Sequence, residues 1–416
     1  MAFLARPLAP HGCSEFHAVQ SGGQHMPTLQ LPRDVMLDGP RSLADMQQGI
    51  GVDGDTGISP LQLPSWLDMS RCLKVKKFWE DHAFSLGLAW HCSLLINFSV
   101  PRLLCPLVWT HGSDTPQRAK QRYRITGENL MKWHTGNIWD PADPGFASLQ
   151  SVRKIHSGVR GKMEAQQPGT KWISMYDLAC VQHEFICYVS LAPQKFGVHV
   201  DESVLEDYIF FWKCVGHQLG IDDKFNLCSL GKANADKIMK EFTTSVLLPN
   251  VANPPPHFDL IAGAYIDSVN LVTFGFPLFS VRSTLALCFW GLDLACGPLS
   301  FADTCRFYYL RFLLILAAWF PFFKRWLNGA SIASMKQLCG LNGLAQCPVS
   351  GARAVQCPHS LDASEAISVS SCNSLGLALL MPLPIFLGFA WLVSLALGML
   401  LQWSLFTLVF QLAEAN

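Results

Sequence analysis

Charge is what this chain has least of. Asp, Glu, Lys and Arg make up 15% of its 416 residues, against about 25% in an ordinary soluble domain. Basic and acidic residues balance at 31 each. With no excess of positive charge to meet phosphates, the balance argues against nucleic acid as a general partner. The 15 cysteines contain no C-x-x-C pair, and a chain this long is no disulfide scaffold. Most of them are expected to be reduced, buried and packed as small hydrophobes. The opening stretch "MAFLARPLAPHGCSEF" lacks the continuous apolar core of a secretory signal. Internal repeats are absent as well.

What is present is apolar. Half of the residues are hydrophobic and the mean hydropathy is +0.24. Either much of the surface faces lipid or nearly everything is core. The balance changes along the chain. Residues 1–65 are rich in Gly, Pro, Gln and Ser, without a sustained period, and read as a mobile leader. Residues 66–327 carry helical periodicity, and residues 328–372 form a Cys/Ser-rich linker. Cys347, Cys357 and His359 fall in that linker, but no paired spacing marks them as zinc ligands. Residues 373–416 read as a C-terminal membrane anchor. From Leu375 to Ala413 there is no charged residue, more than the roughly 20 apolar residues a span requires. One transmembrane helix is expected from about Pro384 to about Phe406, with a re-entrant hairpin as the alternative. The rest of the chain would then lie on the cytosolic side.

Within the helical region, "HAFSLGLAWHCSLLINFSVPRLLCPLVW" is nearly unbroken apolar sequence, but His82 and His91 sit in or beside it and Pro101-Arg102 interrupts it. A helix buried all round is the expectation, ahead of a membrane crossing. The sequon Asn97-Phe98-Ser99 lies inside this run and is read as accidental. In "THGSDTPQRAKQRYRIT" a new helix opens, with Ser113 or Asp114 as cap and Pro116 in the first turn. Two more are expected from Met175 to about Ala192 and from Glu202 to about Leu219, the latter stopped by Gly220. The apolar middle of Arg306–Trp326 is too short for a span and reads as a core or interfacial helix.

The stretch "SVRKIHSGVRGKM", Ser151–Met163, is basic yet carries an apolar stripe. At 100° per residue Val152, Ile155, Val159 and Met163 fall on one side. His156 borders that stripe, with Arg153 and Arg160 just beyond it. Such a histidine is either a satisfied boundary residue or part of a cofactor pocket in which the arginines grip acidic groups. On the next helix, "MYDLACVQHEFICYVSLA", His183 shares a face with Ala179, Cys180, Ile186 and Cys187. It is a core histidine or the proximal ligand of an iron porphyrin. His217, on the helix after, lies off its core stripe and is the weaker candidate.

Four pieces then occur in order: "THGSDTP…RYRIT", "WHTG…SLQSVRKIH", "YDLACVQ" and "FWKCVGHQLGIDDKFNLC". Together, over residues 70–230 and on towards 320, they make the chain resemble the fungal ER-bound oxygenases of the mycophenolic-acid pathway and the bacterial rubber oxygenases. The resemblance implies an all-α fold, a helical bundle with a globin-like core around haem b. It implies an enzyme that uses O2 to cleave or oxidise a C=C bond of an isoprenoid or lipid-like substrate. Carried over, Arg153 matches the family's pocket arginine, His156 stands where rubber oxygenases have a lysine, and Ser157 where they have threonine. His183 would hold the iron, and Thr126 would line the pocket. Arg160 joins Arg153 as a propionate anchor, with His156 and Arg153 serving the chemistry. No residue matches the glutamate that acts as base in rubber cleavage. A membrane-anchored haem oxygenase is therefore expected, with a hydrophobic small molecule and O2 as its partners. The alternatives are a non-catalytic haem- or lipid-binding membrane protein of the same fold, and a multi-pass protein spanning at 83–108 and 305–323.

Overall fold

A computed structural model of the protein describes residues 39–338, save 274, and part of 374–394. No strand occurs among the described residues, as the all-α expectation required. Part of the segment expected to be a mobile leader folds onto the domain: residues 39–65 are among those described. It holds α1 (Leu43–Gln47), capped by Ser42, and a loop whose Asp53 and Asp55 reach the body of the domain.

The long apolar run folds as α2 (Met69–Asn97) and α3 (Pro101–Trp109). Pro101 sits in the first turn of α3, where its missing N–H costs nothing, and the two helices meet at 92°. From Phe78 onward nearly every α2 side chain is buried, because α2 runs through the centre and packs on α6 (Met175–Leu191), α7 (Glu202–Gln218), α11 (Val281–Gly291) and α13 (Pro321–Leu338). Between these lie α4 (Pro116–Thr135) and α5 (Pro144–Gln166). Pro116 opens α4 as expected, but the cap is Thr115, whose hydroxyl accepts from Arg118 N. Asp114 is drawn instead to the Arg118 guanidinium at 2.9 Å. Gly220 stops α7 with φ +90°, and a Cβ there would lie 2.7 Å from Asp55 Oδ1. The glycine thus lets the loop around Asp55 close on the end of α7.

Fully buried Trp79, Trp212, Tyr188, Tyr208 and Phe211 fill the core. Each such ring removes enough apolar surface from water to contribute about 2–3 kcal/mol. Phe185 and Trp212 stack at 4.5 Å and 6° and tie α6 to α7. Beyond them follow α8 (Lys232–Phe242), α9 (Leu248–Ala252), α10 (Phe258–Asn270), α12 (Phe301–Trp319) and α14 (Ser374–Leu380). Helix α13 reaches Leu338, ten residues and more into the segment read as linker.

No single described helix is long and apolar enough to cross a membrane. The two runs of the multi-pass alternative are broken by bends of 92° and, between α12 and α13, 112°. Most of the span expected from Pro384 to Phe406 lies outside the described residues, as do Cys347, Cys357 and His359. Ten described cysteines are free, eight of them buried.

Candidate active-site cavity

The stripe of α5 faces a cavity. Val152, Ile155, His156 and Val159 form one wall of a space of about 420 Å³, closed by α3, α4, α6, α7 and the end of α2. Its walls are mostly apolar, from Leu94, Phe98, Leu103 and Leu107 to Trp133, Val181, Phe185 and Trp212. Such a size and lining suit a small organic molecule.

His156 fits this wall because a helix places it one position beyond Ile155, on the border of the apolar face. Its Nδ1 is buried without a hydrogen-bond partner. Burial, helped by the nearby charges of Arg122 and Arg160, lowers its pKa to about 4. The ring is therefore neutral at pH 7, with a nitrogen lone pair available to a metal or a donor. Thr126 also lines the cavity, though its hydroxyl donates to the Arg122 carbonyl at 3.2 Å.

The remaining expected residues are placed elsewhere. Arg153 donates to Asp55 through Nε at 2.9 Å and through a second nitrogen, and also to the Ile58 carbonyl at 3.0 Å. Arg160 pairs with Asp53 at 3.0 Å. Neither lines the cavity, and both serve to fasten the loop before α2 onto α5. Two aspartates neutralise them, which removes them as propionate anchors. Ser157 is exposed. His183 is buried, both its ring nitrogens unpartnered, but its ring lies 4.8 Å from that of Phe242 of α8 and is not part of the cavity wall. The expected shared space between His156 and His183 does not form. His217 rests between Trp66 and Trp139, 3.7 Å from Asp223.

The residues of α6 that do reach the cavity flank His183 in sequence. Gln182 lines it while holding the local fold: its amide donates to the Trp212 carbonyl and to Asn226 Oδ1, and its carbonyl accepts from Leu227 N. Glu184 presents a carboxyl to the cavity. Burial raises its pKa to about 8 against the opposing pull of Asn97 and Arg122, so it is mostly protonated at neutral pH. Around it gather Asn97, Arg122 and Tyr123. Asn97 has both amide atoms buried without a hydrogen bond of good geometry, as has the Tyr123 hydroxyl. Burial of Asn97 also closes it to glycosylation. The charge of Arg122 acts on Glu184, Tyr123 and His156 alike. Its NH1 donates to the Thr110 hydroxyl at 3.3 Å, and no carboxylate pairs with it among the described residues.

Arg102 lines the cavity too, but Asp177 grips it through two bonds of 2.7 and 2.8 Å. That pair clamps α3 to the start of α6, where Asp177 also completes a capping box with Ser174. The sequence marks none of Glu184, Asn97, Arg122 and Tyr123 as a cavity residue: Asn97 stands out only in the sequon, and Arg122 and Tyr123 only as members of the "RYRIT" piece. The one signal available is that Glu184 lies in a mostly apolar helix, three residues after Val181 and one before Phe185.

A bundle of helices enclosing an apolar cavity with a few converging polar groups defines a small-molecule-binding α domain. Residues 76–229 match the family model of the ER-bound oxygenase mpaB/B'/rubber oxygenase catalytic domain, the resemblance read from the four sequence pieces. Every residue lining the cavity falls within that stretch. No curated protein and no solved structure matches the chain.

Proposed function

We propose that the protein is an oxygenase that holds a hydrophobic small molecule in the cavity between α3, α4, α5, α6 and α7 and uses dioxygen to oxidise it. The observation that carries this reading is that the whole cavity wall comes from the stretch matching an oxygenase catalytic domain. An isoprenoid or lipid-like alkene suits the apolar walls.

Haem b is the cofactor we propose. Of the set expected from sequence, Arg153 and Arg160 do not fit, being bound to Asp55 and Asp53, and His183 does not face the cavity. His156 does fit: a neutral imidazole, with an orphaned nitrogen, at the cavity wall. His156 is therefore our choice of iron ligand. Bound haem iron would supply the activation of dioxygen. The chain's own contribution is to desolvate the substrate between Phe98, Leu107, Val159 and Phe185, and to orient it through the polar groups at Glu184. Glu184, protonated at neutral pH, can give a proton to an oxygen atom forming on the substrate.

We also place the protein at a membrane, that of the endoplasmic reticulum by the resemblance. At the corner between α12 and α13, Trp319, Phe320 and Phe322 are all exposed beside the cationic Lys324-Arg325. Aromatic rings next to basic residues suit the bilayer interface, and the charge-free stretch 375–413 follows.

Oxygen uptake by the purified, haem-supplied protein with polyprenyl and terpenoid alkenes tests the function. Substrate-dependent uptake that disappears in His156→Ala supports it. The displaced His183 and the neutralised arginines favour a second reading, a ligand-binding relative without turnover. Tight binding without oxygen uptake would establish that one instead.

A further inference from the structure

We propose that the molecule taken by this cavity is an amphipathic acid, an apolar chain ending in a carboxylate that is held by Arg122, Tyr123 and Asn97 beside Glu184. The inference deepens the oxygenase reading and rests on it only for the cavity being the substrate's. A hydrocarbon would leave the inner polar groups without partners, and burying unpaired donors and acceptors is costly. Yet the Asn97 amide and the Tyr123 hydroxyl are buried without a hydrogen bond of good geometry, and both border this one space. Other buried polar atoms lack partners as well, those of His183 and Tyr188 among them, but they are scattered, whereas Asn97, Tyr123 and His156 converge on one cavity, and unpaired groups so placed point to a ligand that pairs them.

The charge balance decides which head group. Arg102 is neutralised by Asp177, whereas Arg122 has no carboxylate partner among the described residues. Tyr123 is neutral at pH 7, burial pushing its pKa up to about 12. The cavity therefore keeps one positive charge in an apolar enclosure, and a single anion cancels it. A carboxylate has two oxygens with room for about four hydrogen bonds. The Arg122 fork, the Tyr123 O–H, the Asn97 N–H and the protonated Glu184 O–H supply donors for them. A phosphate monoester would bring a second negative charge that nothing here answers.

A haem propionate is the other carboxylate that Arg122 could receive, and the test separates the two. Binding of radiolabelled oleate, oleyl alcohol and methyl oleate is measured on the full-length protein in nanodiscs, with and without added haem. We expect oleate to bind about 10–100-fold more tightly than the methyl ester, the yield of charge-assisted bonds in a partly buried site. In Arg122→Gln that preference should fall to near unity while the ester's own affinity is kept. Tyr123→Phe should reduce the preference several-fold. The ester's retained affinity shows that each variant is folded.

Equal binding of acid and ester by the native protein would overturn the proposal. So would a preference that survives in Arg122→Gln. A loss of haem affinity in Arg122→Gln with the oleate preference unchanged would assign the arginine to a propionate and overturn it too. The oxygenase reading stands or falls separately: acid preference without oxygen uptake leaves this inference intact and removes that one.

Discussion

His183 and Glu184 are neighbours in the chain, yet α6 turns them to different surroundings. Glu184 lines the cavity, while the ring of His183 meets Phe242 of α8. The side chain that α6 presents to the cavity is therefore a carboxyl and not the expected imidazole.

Glu184 should cost the fold stability at neutral and alkaline pH. Its folded pKa, about 8, lies above the ordinary glutamate value of 4.5. A raised acid pKa stabilises fully below 4.5, and that contribution is lost as pH climbs to about 8. The charged and titratable groups around it are Arg122 and Tyr123 of α4, His156 of α5, Tyr265 of α10, and the Arg102–Asp177 pair. Glu184→Gln removes the titration. It should be about 1–3 kcal/mol more stable than the native protein at pH 8, and equal to it near pH 4.5. Urea unfolding at the two pH values measures this; a variant destabilised at pH 8 would contradict it.

Mild acid should unfold the domain. Burial lowers the pKa of His82, His134 and His156 to about 4, and of His91 and His183 to about 3. All five protonate in the unfolded chain near 6.5, so between pH 6.5 and about 4 the unfolded state binds more protons and stability falls with pH. At pH 5 each contributes a loss of about 1–2 kcal/mol. Thermal melts across pH 7 to 4.5 should show a steep decline. A flat profile would mean that these rings are not buried in neutral form.

The Arg102–Asp177 clamp should be worth more than a surface pair. Asp177 is 6% exposed and also caps α6. Asp177→Asn removes both roles and should cost about 2–4 kcal/mol, readable as a lower urea midpoint. A loss below about 1 kcal/mol would reduce the clamp to a surface contact.

Releasing the loop before α2 should leave the cavity intact. Asp55→Asn frees Arg153, and we expect faster protease cleavage within residues 48–66 with ligand binding preserved. Cavity binding lost together with that loop would show that Arg153 has a part in the site after all.

Much of the helix pattern was legible in the chain, since caps and stops act locally. Pro116 opened α4, Gly220 ended α7, and Met175–Leu191 matched its predicted bounds within a residue. The stripe of Val152, Ile155 and Val159 marks the side of α5 that lines the cavity. What it buries against was not legible, because α6 is apolar nearly all round and periodicity cannot orient such a helix. His183 was chosen by environment, but Ala179, Ile186 and Cys187 surround any core position equally well. Arg153 and Arg160 were misjudged for a different reason. Their partners, Asp53 and Asp55, lie some hundred residues upstream in a segment whose Gly- and Pro-rich composition reads as unstructured.

The haem content of three purified, haem-supplied proteins tests the central claim most directly: the native chain, His156→Ala and His183→Ala, each assayed as the reduced pyridine complex. We expect a b-haem spectrum in the native protein and in His183→Ala, and its loss in His156→Ala. Haem retained by His156→Ala but lost from His183→Ala, or absent from the native protein, would contradict it.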